Sequence, residues 1–541
     1  MSPTHPGVRS SLFTLVAATL CLASPIRAQS LEEFPSSLGG SFDPLARTAR
    51  AVGMGRLTLV LPDHNNRITM WDFAGNPTGI LDADSVSSVE FRPGGWSTSS
   101  ARDVNDAAGP FERQDFAGNR QRFGFEGWRR SGGTTVFGVE GELSQLQTDR
   151  PFDQTEERRT LFSRPSGSIL LNGKLPFFAT EAMRYALRAT MAAEDLDDEF
   201  RLIRRNAAGE YVNQTGTVVG PPNRFDPDEN HVRSTGGGGA LSFRLGPWLT
   251  LAAGADYRVE KLRSRNEGDR YLSEYEEDRP YTLGQFSAVG AIQGLEYGAD
   301  ARTWSASSNA IYVFTGSAGI GAIPITGRGD MYGREEEGHL FRGRLRWAGG
   351  PLEIGASMHS GFSKVELTPP PVTDMTSMNA YLRTLFYDPR ADSIGLRDSV
   401  VHEQSERRVT EFAGGLSWRF PGQAAIGVEA HAWTDELEQL ASGEGPNGKG
   451  MDVRAGIEYP CTPVFTGRAG YIYRTEDEDD LTEDNEWKSQ GVTVGMGFHP
   501  QLARWRFESG YVFEWGQADF GSPARPRFTR QQLATQLKWA F

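Results

Sequence analysis

The chain has 541 residues, with 56 Lys and Arg against 70 Asp and Glu, a formal charge of −14, 38% hydrophobic residues, 63 Gly, 11% aromatics and two Cys. This acidic balance argues against a nucleic-acid partner, which calls for a basic face. Two cysteines are too few for a disulfide framework or a cysteine-rich metal site.

Residues 1–28 have the pattern of a secretory signal peptide. Arg9 precedes an apolar run from Leu12 to Ala23, and Ser24-Pro25 leads to the small residue Ala28. The mature chain is expected to start near Gln29. Cys21 then leaves with the leader, because Ala18-Thr19-Leu20 lacks the small residue that precedes a lipidated cysteine, and Cys461 remains as a single thiol. Beyond the leader no apolar run approaches the roughly 18 residues a transmembrane helix needs. A membrane protein without such helices must be a closed barrel, since only helices and closed barrels satisfy every backbone group in hydrocarbon.

Between Gln29 and Asp84 apolar and polar residues do not alternate, and Gly and Pro are frequent. This segment holds RTARAVGMG (Arg47 to Gly55), an acidic turn at Leu61 to Asn66, and WDFAGNPTGI (Trp71 to Ile80). Taken alone, Asn76-Pro77-Thr78-Gly79 is a β-turn, with Pro fixing φ and Gly accepting a positive φ. The order of these elements resembles the N-terminal region of the FadL-type hydrophobic-compound transporters and the related PorV-like outer-membrane proteins. Ala49, Arg50, Ala51, Gly53, Met54, Gly55, Asn76, Pro77, Gly79 and Ile80 carry the resemblance, and Thr78 departs from it where the family usually has Ala. It implies a 14-stranded barrel whose N-terminal segment folds inside as a hatch, with hydrophobic small molecules as cargo. It assigns no ligand-contacting residue here.

From residue 85 onward apolar and polar residues alternate with period two, as in strands with one face in lipid. Trp505, Phe507, Tyr511, Phe513 and Trp515 alternate with Arg504, Arg506, Glu508 and Glu514; Phe341, Leu345 and Trp347 alternate with Arg342, Arg344 and Arg346. An Arg facing lipid near the midplane costs about 2–4 kcal/mol, so these charges are assigned to the lumen. They suit either the carboxylate of an amphipathic cargo or pairing with lumen acids such as Asp256, Glu260, Glu508 and Glu514. Up to 18 such segments fit, and the expected fold is an all-β, antiparallel, up-and-down transmembrane β-barrel of 14–18 strands. Long polar stretches, including Asp195 to His231, Ser264 to Asp278 and Leu367 to Gln404, alternate with tight turns such as Gly246-Pro247 and Gly349-Gly350-Pro351. They read as extracellular loops and periplasmic turns.

No other chemistry stands out. The acidic run from Glu476 to Asp480 lacks calcium-loop spacing, and the four glycines Gly236 to Gly239 lack the Lys-Ser/Thr of a phosphate loop. No G-x-S-x-G elbow occurs, and His431 beside Glu429 reads as part of a bracing lumen network. No catalytic residue, metal site or cofactor is expected. The last strand, from Gln531, places Leu533, Leu537, Trp539 and Phe541 on one face. Its aromatic end resembles the strand by which outer-membrane barrels engage their assembly machinery, and acidic loops suit a surface of lipopolysaccharide and divalent cations. The expected function is passive uptake of hydrophobic or amphipathic small molecules through a hatch-gated lumen in the bacterial outer membrane. A barrel that partners a surface or secretion complex and a general diffusion porin stay open as alternatives.

Overall fold

The computed structural model describes residues 48–61, 76–82 and, strand by strand, 87–540, apart from most inter-strand loops, the longest being 369–403. Residues 1–28, read above as a leader, and Phe541 lie outside the described residues. Eighteen strands form one antiparallel sheet in which each pairs with its sequence neighbours, and β1 (Ser87–Val104) closes the ring against β18 (Arg527–Ala540). Each of the 18 period-two segments holds one strand, four more than the family resemblance implies. No helix among the described residues is long and apolar enough to cross a membrane. Closure leaves no open edge, so every strand has a hydrogen-bonded neighbour on both sides.

Strand faces follow the alternation. On β13 (Ala425–Gln439) Ile426 and Val428 point outward and are exposed, while Glu429 and His431 are buried inside. The same holds for Phe341, Leu345 and Trp347 on β10 (Ile323–Gly349), and for Leu533, Leu537 and Trp539 on β18. A continuous outward band of exposed large apolar side chains is the surface a bilayer covers.

One rim carries tight turns. The φ of Gly246, Gly350 and Gly422 is +72°, +63° and +101°, a left-handed conformation that glycine accepts without a Cβ penalty. On the opposite rim two of the stretches read from sequence as loops are partly strand. β5 (Met183–Leu202) and β6 (Arg224–Leu245) enter the stretch from Asp195 to His231, and β7 (Leu249–Gly268) and β8 (Tyr271–Ile292) nearly fill that from Ser264 to Asp278. Above the lipid both faces of a strand are wet, so the alternation that marks strands fades there.

Candidate functional site

The described parts of the N-terminal segment lie inside the barrel at the tight-turn rim. Thr48 caps a single turn of helix, α1 (Ala49–Gly53), its side chain accepting the Ala51 amide at 3.2 Å. This turn lies against β15 (Phe465–Asp479), β16 (Asp484–Phe498), β17 (Trp505–Asp519) and β18. Residues 54–61 continue along β14 (Asn447–Pro460), β13, β12 (Gln404–Arg419) and β11 (Leu352–Thr368). Across the lumen, Ile80 and Leu81 pack against Trp128, Val136, Leu170, Ala186 and Ala240 on β2 (Glu112–Ser131), β3 (Thr135–Pro151), β4 (Glu156–Lys174), β5 and β6.

The fit depends on glycine. Gly355, Gly415, Gly427, Gly456, Gly470, Gly495 and Gly510 face inward, one on each of seven consecutive strands from β11 to β17. A Cβ on any of them would press on the segment, 2.3 Å from the Gly55 nitrogen at Gly470 and 2.3 Å from the Ala49 carbonyl at Gly510. The resemblance residues answer this track. A Cβ on Gly53 would lie 2.8 Å from the Gly495 Cα, and Gly55 has φ +69° with its Cβ position 2.3 Å from the Ala455 carbonyl. Asn76, Pro77 and Gly79 form a turn, the Gly79 amide donating to the Asn76 carbonyl at 3.0 Å, but Gly79 does not take the positive φ expected of it, because the chain runs on into a short 3-10 turn over Gly79–Asp82.

Polar anchors hold the segment to the wall. Glu429, fully buried, accepts the amides of Thr58, Leu59 and Val60 at 3.0, 2.6 and 2.7 Å. Arg50 makes a two-pronged bond to Glu458 at 2.8 and 3.0 Å and donates to the Leu61 carbonyl. Arg454 donates to the Arg56 carbonyl at 3.0 Å, and Thr493 links Gly53 and Gly55. On the far wall Asp82 receives Arg184 at 2.9 Å and Arg244 at 3.3 Å. Buried carboxylates and guanidiniums are tolerated only with partners, so these anchors and the segment stabilise one another.

The sequence-assigned lumen charges divide by task. Arg344 donates to the Thr58 and Leu59 carbonyls at 3.0 and 3.3 Å, so it is an anchor. Arg342 pairs with Asp300 at 2.9 Å, and Arg346 with Glu296 at 2.7 Å. Glu508 accepts from His499 at 2.9 Å and Glu514 from Ser489 at 2.7 Å. Arg342 and Arg346 thus pair with lumen acids directly across the strand, though not with Asp256, Glu260, Glu508 or Glu514, the examples the sequence offered. Arg504 and Arg506 are exposed at the tight-turn rim, Arg504 just before β17 begins. His431 bridges Glu411 and Glu429 at 3.2 and 3.3 Å, the expected polar network, and Glu429 adds the anchoring role that sequence reading missed.

Farther from the tight-turn rim the lumen has one patch of different character. Tyr281, Trp304, Leu340 and Val409 form a buried apolar cluster with Leu283 and Ala306, on β8, β9 (Leu295–Ala318), β10 and β12. Among the described residues the other three apolar clusters each contain residues of the N-terminal segment; this one contains none. Arg258 lies 4.8 Å from the Tyr281 ring centroid, and the Tyr281 hydroxyl donates to Glu336 at 3.2 Å.

The chain is similar to solved outer-membrane barrels of the FadL type. A Pseudomonas aeruginosa FadL homologue is 10% identical over 91% of this chain and 98% of its own, with a TM-score of 0.34. The Pseudomonas putida toluene transporter TodX is 10% identical over 91% and 97%, TM-score 0.34. The ferric yersiniabactin uptake receptor FyuA from Yersinia pestis is 8% identical over 85% and 80%, TM-score 0.41. No family model matches the chain, and no curated protein matches it.

Proposed function

We propose that this chain is an outer-membrane barrel that passively admits hydrophobic or amphipathic small molecules, with residues 29–84 as the hatch that closes its periplasmic end. The observation that carries the reading is the seating of residues 48–61 and 76–82 on opposite lumen walls at the tight-turn rim. A general diffusion porin has no use for such an obstruction. In this reading cargo gains a non-aqueous contact at the apolar cluster around Trp304 by parting the side chains that bury it. On the same reading the outward band meets outer-membrane lipid and lipopolysaccharide, and β18 is what the barrel-assembly machinery engages.

The test is single-channel conductance in planar bilayers of the mature chain beside a variant lacking Gln29 to Asp84. A silent full chain and a conducting variant support the hatch. Equal conductance of both overturns it in favour of a porin, and two silent barrels favour a protein-partner role.

A further inference from the structure

Residues 76–82 sit in a seat that they do not fully match. Ile80, fully buried, and Leu81 fill it, against Trp128, Val136, Leu170, Ala186 and Ala240. The same wall also carries Asn172. It is the next inward residue of β4 after Leu170, directly opposite Val136 on β3 and Ala186 on β5, and it is fully buried. Among the described residues neither its amide nitrogen nor its amide oxygen has a hydrogen-bond partner. Leaving a buried polar group unpaired costs its full desolvation, and native proteins rarely carry that cost without a reason. A seat made only to receive Ile80 and Leu81 would have an apolar residue at position 172. An apolar hollow with one polar group is instead the make-up of a small-molecule site.

The bonds that hold residues 76–82 divide into a fixed end and a loose one. Asp82 is clamped by Arg184 at 2.9 Å and by Arg244 at 3.3 Å, and Arg130 donates at 3.0 Å to the Leu81 carbonyl in the adjoining peptide group. Farther back the described tie to the wall is one hydroxyl pair, Thr78 with Ser242 at 2.8 Å. The chain before Asp82 can therefore turn about that residue by giving up one neutral hydrogen bond and the apolar contacts of Ile80 and Leu81. The arginines keep Asp82 throughout, so a carboxylate entering the hollow finds its cations already taken. A neutral molecule finds the Asn172 amide, which can donate or accept.

We propose that this hollow is a cargo site for a neutral amphiphile, an apolar body with one hydroxyl or carbonyl group bonded to Asn172, and that Ile80 and Leu81 hold its place until cargo displaces them. The inference rests on the uptake reading and gives its hatch a trigger. Cargo that fits the hollow better than Ile80 and Leu81 do favours the displaced state by its difference in affinity for the two states.

The experiment is fluorescence titration of the full mature barrel with 2-naphthol, with naphthalene, which lacks only the hydroxyl, and with the anion 2-naphthoate. I80A/L81A, which empties the seat, is expected to bind 2-naphthol about tenfold tighter than wild type and to gain nothing for 2-naphthoate. N172L is expected to lower the ratio of 2-naphthol to naphthalene affinity roughly tenfold, and N172A to do the same should the leucine disturb folding. Saturating 2-naphthol should raise protease cleavage of wild type within residues 76–81 and not within 48–61. No tightening in I80A/L81A, an equal gain for 2-naphthoate, an unchanged affinity ratio in both Asn172 variants, or unchanged cleavage each overturns the proposal. Heat-modifiable gel mobility identifies the folded barrels. An unchanged affinity ratio with hatch-dependent conductance intact overturns the site and leaves the transport reading standing. A lowered ratio with no hatch effect on conductance overturns only the transport reading.

Discussion

Leu59 donates its backbone amide to Glu429 at 2.6 Å, and the amides of Thr58 and Val60 converge on the same carboxylate. Three consecutive amides around one buried anion form a concave anion-binding backbone, with the protein's own wall supplying the anion. Bonds to charged groups are each worth about 1.5–3 kcal/mol, so this contact is a large share of what seats the segment. Glu429→Ala is expected to leave the barrel folded, by heat-modifiable mobility, and to give the full chain frequent channel openings in planar bilayers. A variant as silent as wild type would show that the remaining anchors suffice.

A second prediction concerns shape. Gly470→Val places a side chain where the Gly55 backbone now sits, whereas Gly414 has open space around its Cβ position. The first substitution is expected to displace the N-terminal segment and expose it to limited proteolysis within residues 48–61. Gly414→Val is expected to leave the digestion pattern unchanged. Equal protection of both variants would mean that the wall, and not the segment, yields.

Much of this was legible beforehand, for a physical reason. Lipid imposes period two on a strand's outer face, so Phe341 against Arg342 or Leu537 against Lys538 announces both strand and orientation. The glycines at 53, 55 and 79 were marked by the resemblance, and their tight surroundings give the cause. Glu429 was seen only as a companion of His431, because its three partners are main-chain amides more than 360 residues earlier and carry no side-chain signature. The glycine track was equally silent, since each wall glycine reads as an ordinary lumen position until the ring brings seven together. Alternation gives the arginine ladder its side of the strand but not its partners: cross-strand register, which alternation does not encode, brings Asp300 to Arg342.

The apolar cluster makes a third prediction. Trp304→Ala removes the largest apolar side chain of the patch without touching any residue of the N-terminal segment. Trp304 is only 6% exposed, so its truncation opens an apolar hollow in the lumen wall rather than stripping an exposed contact, and binding of a fluorescent hydrophobic probe to the purified barrel is expected to tighten about tenfold. Hatch-dependent conductance should be unchanged. Unaltered probe affinity would move the cargo contact elsewhere in the lumen.

The last prediction compares neighbouring residues on one strand. Leu345 is exposed on the outer face of β10, while Arg344 beside it points inward and is bonded to the Thr58 and Leu59 carbonyls. Leu345→Arg puts a guanidinium into the apolar band, at a cost of up to about 2–4 kcal/mol if the site lies near the midplane. Arg344→Leu instead removes an anchor and leaves two carbonyls seeking donors, which loosens the hatch more than the barrel. Equilibrium urea unfolding in lipid vesicles should therefore show Leu345→Arg as the less stable barrel. Protease sensitivity of residues 48–61 should rise only in Arg344→Leu. The reverse assignment of the two effects would mean that β10 is turned the other way, with its arginines toward lipid.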